Sequence, residues 1–394
     1  MKILEINKFF HERRGAERHF LDVIDMLRRH GHEVEVFSMK HPSNQQSIFD
    51  KFFPSYVGYH SSDANAWQRL MGVGRLFWSF EARSKMKSLL GEWQPDIVHM
   101  HNIYHQLSPS ILGPIRDRHI PIIMTVHDYN LISPDKDAYY PEIGKRYWKF
   151  LFMSKYSFGK RLLLVVKTYW NKWFNFYGNI DFFIAPSRFV QDVLVGAGMP
   201  REKIVVIPHF ISGIKPVMLN NETVPLSYAM YFGSISEEKG VNDLVDIFDT
   251  LQIPLLIVGV TENNFVLRKS SYVTVIEKKT KQELLLLLHR ASCVVSASSL
   301  PETFGLIALE AIADGKPFFG FRKGALTEII ENGKNGILVE KKSDLQQVLK
   351  KFFAKEQVFS YQEIQRFAYE RFGEEQFNKT FERLCQSLIH KKDE

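Results

Sequence analysis

The chain has 394 residues, of which 45% are hydrophobic and 24% charged, and its formal net charge at pH 7 is +7. This composition is typical of a globular protein and excludes a disordered or collagen-like chain, and the length favours two domains. No apolar run in the sequence approaches transmembrane length, and the positive charge predicts an anionic partner such as a nucleotide, a nucleic acid or an anionic lipid. Cys293 and Cys385 are expected to be free thiols in a reducing compartment.

The N-terminal segment has the pattern of a strand, a helix and a second strand. We expect a strand over residues 1–6, a helix from Gly15 to about His30, and a strand at Glu33–Phe37. This βαβ unit predicts a parallel sheet, and Gly15 would let the backbone approach a ligand closely. The turn lacks the GxGxxG pattern of dinucleotide-binding proteins. Because residues 1–6 resemble a strand rather than a signal peptide, we expect a cytoplasmic protein.

A histidine follows the fourth predicted strand. Strands are expected at 96–100 and 120–126, with a helix over 108–118 between them. The second of these strands runs into His-Asp-Tyr-Asn at 127–130, at the carboxyl edge where open α/β sheets bind ligands. His127 is therefore a candidate ligand contact, and the alternative is a histidine with a structural role only.

Two neighbouring patterns suggest metal sites. Asp-Lys-Asp at 135–137 matches the DxD motif for a metal and a diphosphate, but it lies in a proline-flanked loop, and we expect it at the surface. His99, His101 and His105 suggest zinc by residue type, but no carboxylate or cysteine set was found to match them. We expect these histidines to line the edge of the sheet, and we expect no metal ion.

Residues 143–180 contain no Asp or Glu but eight Lys or Arg, interleaved with aromatic residues. Helices with basic faces and aromatic edges bind the interface of anionic bilayers, so we predict peripheral contact with the inner face of the cell membrane. The alternative is a pair of amphipathic helices packed on the domain with a solvated basic side. Nucleic-acid binding uses similar side chains, but no recognised binding motif accompanies them, so we expect no nucleic-acid partner. The basic residues are Lys145, Arg146, Lys149, Lys155, Lys160, Arg161, Lys167 and Lys172.

The alternation of strands and helices continues to the end of the chain. A polar, proline-containing stretch at 211–225 is the best candidate for a linker between two doubly wound halves of an α/β fold. Closing helices are expected at about Tyr361–Phe372 and at 374–389. The remaining predicted strands are 181–185, 203–207, 228–232, 254–258, 272–277, 293–297, 317–321 and Gly336–Val339.

Residues 298–311 follow a buried strand and form a small-residue turn that holds Glu302, and a helix over Leu306–Ala313 that carries Glu310. The first turn, at 304–306, offers backbone N–H groups and the positive end of the helix dipole, which together bind phosphate well. A nucleotide sugar carries sugar hydroxyls, a diphosphate and a ribose diol in this order, which matches the order of Glu302, the first helical turn and Glu310. The alternative is that Glu302 caps the helix and Glu310 is a solvated surface residue.

The spacing Glu-x7-Glu, with Phe-Gly after the first glutamate, resembles the signature of GT-B retaining glycosyltransferases, above all family 4. Gly-Ala-Glu at 15–17 and His-Asp at 127–128 resemble that family's first loop and its sugar-contacting segment. The resemblance implies the GT-B fold, in which two Rossmann-like, doubly wound parallel-sheet domains face a central cleft. The implied boundaries are 1–210 for the acceptor-side domain with 143–180 inserted, 211–225 for the linker, 226–372 for the nucleotide-sugar donor domain, and 373–394 for a C-terminal helix that packs back on the first domain.

The resemblance also assigns roles to individual residues. Glu302 would contact the donor sugar, Glu310 would hold the ribose, and His127 would touch the sugar near the reacting carbon. The amides between the two glutamates would face the sugar and phosphate, and the first loop would close over the phosphate. The catalytic candidates are His127, Glu302 and Lys239. The donor-binding candidates are Gly15, Ala16, Ser234, Thr303, Phe304, Gly305, Leu306 and Glu310. The acceptor-side candidates are Arg13, Arg14, His101 and Asn102.

The loop at 232–240 departs from the family pattern at one position. The family carries Gly-Arg-Leu there and, five residues after the arginine, a lysine, and both cations bind the diphosphate. Lys239 is in place, but Ser234 occupies the arginine position. The alternative for Lys239 is a solvated lysine at a helix start, where a cation is disfavoured. The resemblance implies either low activity or a compensating arginine, for which the candidates are Arg13, Arg14 and Arg322.

The activity implied by the resemblance is retaining, metal-independent transfer of a sugar from a nucleotide diphosphate sugar to an acceptor hydroxyl. The segment 143–180 favours a lipid-linked saccharide as acceptor, as in cell-envelope polysaccharide or glycan assembly. No cofactor is expected besides the donor substrate. Two alternatives stay open: a nucleotide-sugar epimerase of the same overall fold, and a non-enzymatic nucleotide-sugar-binding module that has lost the arginine at position 234.

Overall fold

The computed structural model describes residues 1–56, 66–104, 107–153, 156–213, 228–262 and 265–393. The chain forms two compact units. The first comprises Met1–Pro186, Val190–Ile207 and Asn378–Glu394, and the second comprises Ser187–Phe189 and Pro208–Phe377. Most of the predicted linker at 211–225 lies outside the described residues.

The first unit contains a six-stranded parallel sheet in the order β2-β1-β3-β4-β5-β6. The strands are short apolar runs, and β3 and β4 are buried throughout, as expected when helices cover both faces of a parallel sheet. Each strand lies within two residues of its predicted bounds. The strands are β1 (Lys2–Ile6), β2 (Glu33–Phe37), β3 (Ile97–Met100), β4 (Ile122–Thr125), β5 (Phe182–Ala185) and β6 (Ile204–Val206).

The helices around this sheet include one that differs from its prediction. Instead of one helix over 108–118, a 3-10 turn at Pro109–Ile111 precedes a short helix at Leu112–Arg116. Pro114 lacks the N–H that a continuous helix would need at this position, which explains the interruption. The helices are α1 (Gly15–Arg29), α2 (Ala66–Phe77), α3 (Phe80–Glu92), α4 (Leu112–Arg116), α5 (Phe158–Trp173) and α6 (Arg188–Gly196), with further 3-10 turns at Asp50–Phe52, Tyr147–Phe152, Phe176–Asn179 and Arg201–Lys203.

The second unit contains another six-stranded parallel sheet, in the order β12-β11-β10-β7-β8-β9. Its strands are β7 (Ala229–Ile235), β8 (Leu255–Thr261), β9 (Val273–Ile276), β10 (Cys293–Ser296), β11 (Phe318–Phe321) and β12 (Gly336–Val339). Its helices are α7 (Val241–Leu251), α8 (Lys281–Arg290), α9 (Leu306–Ala313), α10 (Leu326–Ile329), α11 (Lys342–Phe353) and α12 (Tyr361–Phe372). The predicted fold class, two doubly wound parallel sheets, is confirmed.

The last helix, α13 (Glu374–Asp393), begins in the second unit, and from Asn378 onward it belongs to the first. Within the first unit, Glu382 Oε1 lies 2.8 Å from His32 Nε2, and the Phe381 ring lies 5.0 Å from the ring of His99. Cys293 and Cys385 are both buried free thiols, and burial raises their pKa. None of the helices in the described part of the chain combines the length and hydrophobicity needed to cross a bilayer.

Candidate functional site

Three loops of the second unit follow the neighbouring strands β7, β10 and β11 and are joined by hydrogen bonds. Ser299 connects the first two, because its N–H and its hydroxyl both donate to Glu238 O at 3.0 Å. Lys323 Nζ donates to Ser299 O at 3.0 Å, and Ala325 N–H donates to Glu302 O at 2.9 Å. The carboxyl ends of adjacent parallel strands meet at one edge of the sheet, where α/β proteins bind ligands. These bonds fix the backbone of Glu302 at that edge.

Two glycines allow these loops to approach so closely. Gly240 has φ +65°, and a Cβ there would lie 1.9 Å from Ala297 O. Gly324 has φ +58°, and a Cβ there would lie 2.4 Å from Glu302 O. Both positions therefore need glycine for backbone conformation and for space.

Lys239 and Glu302, two predicted catalytic residues, lie together at this edge. Lys239 Nζ donates to Glu302 Oε1 at 2.5 Å in a charge-assisted hydrogen bond. The side chains of Lys239 and Glu302 are 29% and 22% exposed, so solutes can reach both. The alternatives from the sequence were a solvated lysine at a helix start and a glutamate that caps the helix; in the structure the two side chains form an ion pair.

The helix that follows Glu302 starts at the predicted residue. Gly305, at φ +104°, precedes α9, and its carbonyl accepts from the N–H groups of Ala308 and Leu309 at 3.0 and 3.1 Å. The first-turn amides and the positive end of the helix dipole make such a start suitable for an anion. Glu310 is half-buried, further along the same helix.

Phe304 anchors the start of α9 in the core. Its ring is buried and lies 4.9 Å from the ring of His209 and 6.0 Å from that of Phe372. Burial lowers the pKa of His209 to about 3, so this imidazole is neutral at physiological pH. The residue before Phe304 is fixed as well, since Thr303 O accepts from Ser187 Oγ at 2.8 Å.

The position that carries arginine in the resembled family lies inside a strand here. Ser234 is part of β7, which extends three residues beyond its predicted end, and Ser234 O accepts from Tyr231 O–H at 2.7 Å. Burial, and secondarily the negative charges of Glu302 and Glu262, raise the pKa of Tyr231. Arg322, a candidate for the missing cation, has its Nε 3.3 Å from Glu340 Oε1.

In the first unit, four polar side chains form a hydrogen-bonded network behind His127, which follows β4. His127 Nε2 lies 2.8 Å from His101 Nδ1, and His101 Nε2 lies 3.0 Å from Glu5 Oε2. His99 Nδ1 lies 2.8 Å from Glu5 Oε1, and its Nε2 lies 2.8 Å from Thr125 Oγ1. Glu5, His99 and His101 are fully buried, whereas His127 is half-buried.

This network corrects two expectations. His99 does not line the edge of the sheet but lies inside β3, and His101 is buried behind His127, while His105 lies outside the described residues. A carboxylate does accompany the histidines, since Glu5 lies opposite His99 in the register of β1 and β3. The signal that could have revealed it is a lone glutamate in the apolar run of β1.

Glu5, His99 and His101 could hold a metal ion by residue type, because their ligand atoms lie within 4.8 Å of one another. The same atoms are already joined at hydrogen-bond distances, which satisfies the buried carboxylate without an ion. Burial raises the pKa of the Glu5 carboxyl, and the adjacent His99 lowers it.

The loop after His127 is tied to α5 by a buried lysine. Lys167 Nζ donates to Asn130 Oδ1 at 2.7 Å, and Asn130 N–H donates to Asp128 Oδ1 at 3.0 Å. Burial lowers the pKa of Lys167 to about 8 and raises that of Asp128. The segment 143–180 therefore contacts the His127 loop from within the first unit.

The start of α1 carries four more candidate residues. Gly15 and Ala16 are its first two residues, and Arg14 N–H donates to Glu17 Oε2 at 3.1 Å. The Arg13 guanidinium lies 4.8 Å from the centre of the Phe9 ring. A further candidate, Asn102, lies after β3 and is buried, and its N–H donates to Asn7 Oδ1 at 3.1 Å.

The DxD segment is not a surface loop. Asp135 is 1% exposed and accepts from the hydroxyls of Tyr140 and Tyr156 at 2.9 and 3.2 Å. Asp137 is partly exposed and accepts from Lys136 Nζ at 2.6 Å. The expectation of surface placement is therefore wrong for Asp135, whose carboxylate stabilises the segment that precedes α5.

The described residues of 143–180, which exclude 154 and 155, form one α-helix and two 3-10 turns rather than a pair of helices. Ile143, Tyr147, Phe150 and Val165 form a small buried cluster. Large apolar side chains are nevertheless exposed, with Trp173 at 86% and Phe152 at 79%. We call the exposed side of this segment the aromatic–basic surface; its exposed apolar residues are Trp148, Phe152, Phe158, Leu162, Val166, Tyr169, Trp170, Trp173 and Phe174.

Known proteins resemble both parts of the chain. Residues 13–212 match the sequence profile of Glycosyltransferase Family 4, and residues 221–371 match that of Glycosyl transferases group 1. An uncharacterized glycosyltransferase of Methanocaldococcus jannaschii is 27% identical over 41% of this chain, and the match spans only 46% of that relative. The glycogen synthase of Mycobacterium tuberculosis is 26% identical over 82% of this chain and 78% of its own length.

A solved structure shows the same fold. The crystal structure of Anabaena HepE in complex with UDP-glucose matches with a TM-score of 0.68 at 17% identity, and the match covers 98% of this chain and all of that one. The family profile alone covers just over half of the sequence, from residue 13 to residue 212. With its two parallel-sheet units of the GT-B type, the chain belongs to glycosyltransferase family 4.

Proposed function

We propose that this protein transfers a sugar from a nucleotide diphosphate sugar to an acceptor hydroxyl, with retention of anomeric configuration and without a metal ion. The observation that carries the proposal is the Lys239–Glu302 ion pair, 2.5 Å long, which lies immediately before the start of α9. One cation, one carboxylate and a helix start together can bind a diphosphate and a sugar hydroxyl. Membership of glycosyltransferase family 4, and the UDP-glucose bound by HepE, support a nucleotide sugar as donor.

In this mechanism the diphosphate replaces Glu302 as the partner of Lys239. The ammonium group and the first-turn amides of α9 then stabilise the negative charge that develops on the leaving diphosphate. Glu302, released from Lys239, accepts from a hydroxyl of the donor sugar, and Glu310 binds the ribose. His127 positions the sugar while positive charge develops at its anomeric carbon.

Retention follows if the acceptor hydroxyl attacks on the face that the diphosphate leaves. The bond from the anomeric carbon to the phosphate oxygen breaks, the bond to the acceptor oxygen forms, and the acceptor proton passes to the departing phosphate. No side chain has to accept that proton. Product analysis by NMR tests this stereochemistry, because retention gives a product with the same anomeric configuration as the donor.

The acceptor that we propose is a lipid-linked saccharide, reached by peripheral binding of this protein to the inner face of an anionic membrane. Exposed Trp173 and Phe152, together with the exposed basic residues Lys145, Arg146, Lys160 and Lys172, support contact with anionic lipid. Lys167 connects this surface to the His127 loop through Asn130.

A second candidate function is nucleotide-sugar binding without transfer, which is favoured by serine at position 234. A thermal-shift screen over a panel of nucleotide sugars, followed by transfer assays with the donors that stabilise the protein, separates the two functions. Sugar transfer to an added acceptor supports the enzyme, whereas stabilisation without turnover over the acceptor panel supports the binding module. Failure of every nucleotide sugar to stabilise the protein would contradict both.

A further inference from the structure

Behind His127, two hydrogen bonds lead to a single buried carboxylate. The first joins His127 Nε2 to His101 Nδ1 at 2.8 Å, and the second joins His101 Nε2 to Glu5 Oε2 at 3.0 Å. The planes of the His101 and His127 rings are nearly parallel, at 17° to each other, and their centroids are 5.1 Å apart. These two hydrogen bonds connect the half-buried imidazole of His127 to the fully buried carboxylate of Glu5.

The carboxylate determines which atom donates and which atom accepts in each hydrogen bond of this chain. An ionised carboxylate only accepts hydrogen bonds, so His101 must donate from Nε2 to Glu5. A neutral imidazole carries one N–H only, so His101 Nδ1 must then accept. The donor to His101 Nδ1 is therefore His127 Nε2–H, and the lone pair of His127 lies on Nδ1.

We infer that Glu5, acting through His101, holds His127 as the neutral tautomer protonated at Nε2, so that Nδ1 accepts from a hydroxyl of the bound donor sugar. Glu5 and His101 are thus positioning residues for His127. The sugar contact rests on the function proposed above, whereas the tautomer rests on the hydrogen bonds together with an ionised Glu5 and a neutral His101. Were the direction reversed, Nδ1 would carry a proton and could only donate.

Burial has the largest effect on the Glu5 carboxyl and raises its pKa. Two hydrogen bonds oppose this effect, because His99 Nδ1 and His101 Nε2 each lie within 3.0 Å of a different carboxylate oxygen, and hydrogen bonds to a charged form stabilise it. Cys385 of α13, a buried thiol whose pKa is raised, also faces this carboxyl.

The second branch of the network provides a matched control. His99 donates to the same carboxylate from within β3, two residues before His101, but its other nitrogen lies 2.8 Å from Thr125 Oγ1 rather than from His127. Replacing His99 therefore removes one partner of Glu5 and leaves the Glu5–His101–His127 chain in place. Phenylalanine is a suitable replacement for either histidine because it preserves an aromatic ring in each buried position.

The test is the tautomer of His127 in the full chain, measured by long-range proton–nitrogen NMR on protein with ¹⁵N-labelled imidazoles and without substrate at pH 8. The His127 signals are those that disappear in His127→Gln. We expect a protonated Nε2 and an unprotonated Nδ1 in the wild type and in His99→Phe. In His101→Phe we expect the two nitrogens to show averaged shifts, together with a fall in kcat of at least tenfold. If His101→Phe does not fold, the spectra of the wild type and of His99→Phe still test the tautomer of His127.

A wild-type His127 protonated at Nδ1, or averaged between its tautomers, would overturn the inference. So would stoichiometric metal in the purified protein that is lost in His99→Phe, since the cluster would then be a metal site. The measurement needs no turnover and is separate from the proposed function. An inactive protein with the expected tautomer contradicts sugar transfer and supports the network, whereas an active protein with the opposite tautomer contradicts the network alone.

Discussion

Lys239 Nζ lies 2.5 Å from Glu302 Oε1, although the two residues are 63 positions apart in the sequence. Each side chain neutralises the other, so an anion that binds Lys239 competes with the Glu302 carboxylate. The pair keeps the cation close to the start of α9, and we propose that a bound diphosphate displaces Glu302 and makes its carboxylate available.

Replacing either member of the pair is expected to abolish transfer without unfolding the protein. Lys239→Met removes the cation that stabilises the leaving diphosphate, and Glu302→Gln removes the acceptor for the sugar hydroxyl. The loss of one such electrostatic contact lowers kcat by a factor of roughly 10² to 10³. Steady-state assays measure this loss, and circular dichroism checks the fold.

The matched control for Lys239→Met is Lys334→Met, which removes the lysine of a Lys–Glu ion pair of 2.7 Å on the same unit. Its side chain is 73% exposed, and we expect unchanged kcat. Turnover by Lys239→Met close to that of the control would contradict the role assigned to this cation.

Gly324→Ala is expected to destabilise the second unit and to displace Glu302. A Cβ at Gly324 would lie 2.4 Å from Glu302 O and 2.6 Å from Glu302 N, and the backbone has φ +58°. Gly333→Ala is the control, because Gly333 has φ +84° but no atom within 4 Å of a Cβ. The control should lose about 1 to 2 kcal/mol from its left-handed backbone, and Gly324→Ala about 1 to 3 kcal/mol more. Chemical denaturation measures these losses of unfolding free energy. Equal losses in Gly324→Ala and Gly333→Ala would show that the close approach of Gly324 to Glu302 does not contribute to stability.

His209 predicts a loss of stability in acid. Its pKa is lowered by burial to about 3 in the folded state, below the value of about 6.5 expected when unfolded. Between these values the unfolded state binds more protons, so stability falls as the pH drops below about 6.5. The free energy of unfolding of His209→Phe minus that of the wild type should be about 2 kcal/mol larger at pH 5 than at pH 8. Denaturation curves at the two pH values measure this gain, and an unchanged difference would show that His209 does not titrate this way.

The aromatic–basic surface predicts binding to anionic vesicles. Reversing the charges at Lys145, Arg146 and Lys149 should abolish sedimentation with vesicles that contain anionic lipid, because each basic residue near such a surface contributes about 1 kcal/mol. The matched control reverses three exposed lysines of the second unit, at Lys350, Lys351 and Lys355, and changes the net charge equally. Binding retained by the first variant, or lost equally by both, would argue against a specific lipid contact.

The sequence predicted the strands and the start of α9 because local patterns determine them. Apolar runs of four to seven residues marked all twelve described strands, and β2 and β12 have the predicted bounds. The helix Leu306–Ala313 was also predicted residue for residue, since its run of leucine, alanine and isoleucine stops at Gly315. The separate roles expected for Lys239 and Glu302 came from resemblance to a family rather than from any local pattern, and the ion pair between them was not predicted.

The errors concern buried polar groups whose partners are distant in the sequence. Glu5 lies 94 residues from His99, and their contact depends on which strands are neighbours in the sheet. Asp135 was expected at the surface because it lies in a proline-flanked loop, yet Tyr140 and Tyr156 satisfy its carboxylate in the interior. Charge and turn composition favour exposure on average, and specific hydrogen bonds override that tendency.

Nucleotide affinity tests the diphosphate site most directly. UDP, GDP and ADP would be titrated calorimetrically into the wild type, Lys239→Met and Glu302→Gln. We predict that at least one of them binds the wild type, that Lys239→Met binds it at least tenfold more weakly, and that Glu302→Gln binds it no more weakly, because the competing carboxylate is gone. No binding by the wild type, or equal affinity in Lys239→Met, would contradict the site proposed at the start of α9.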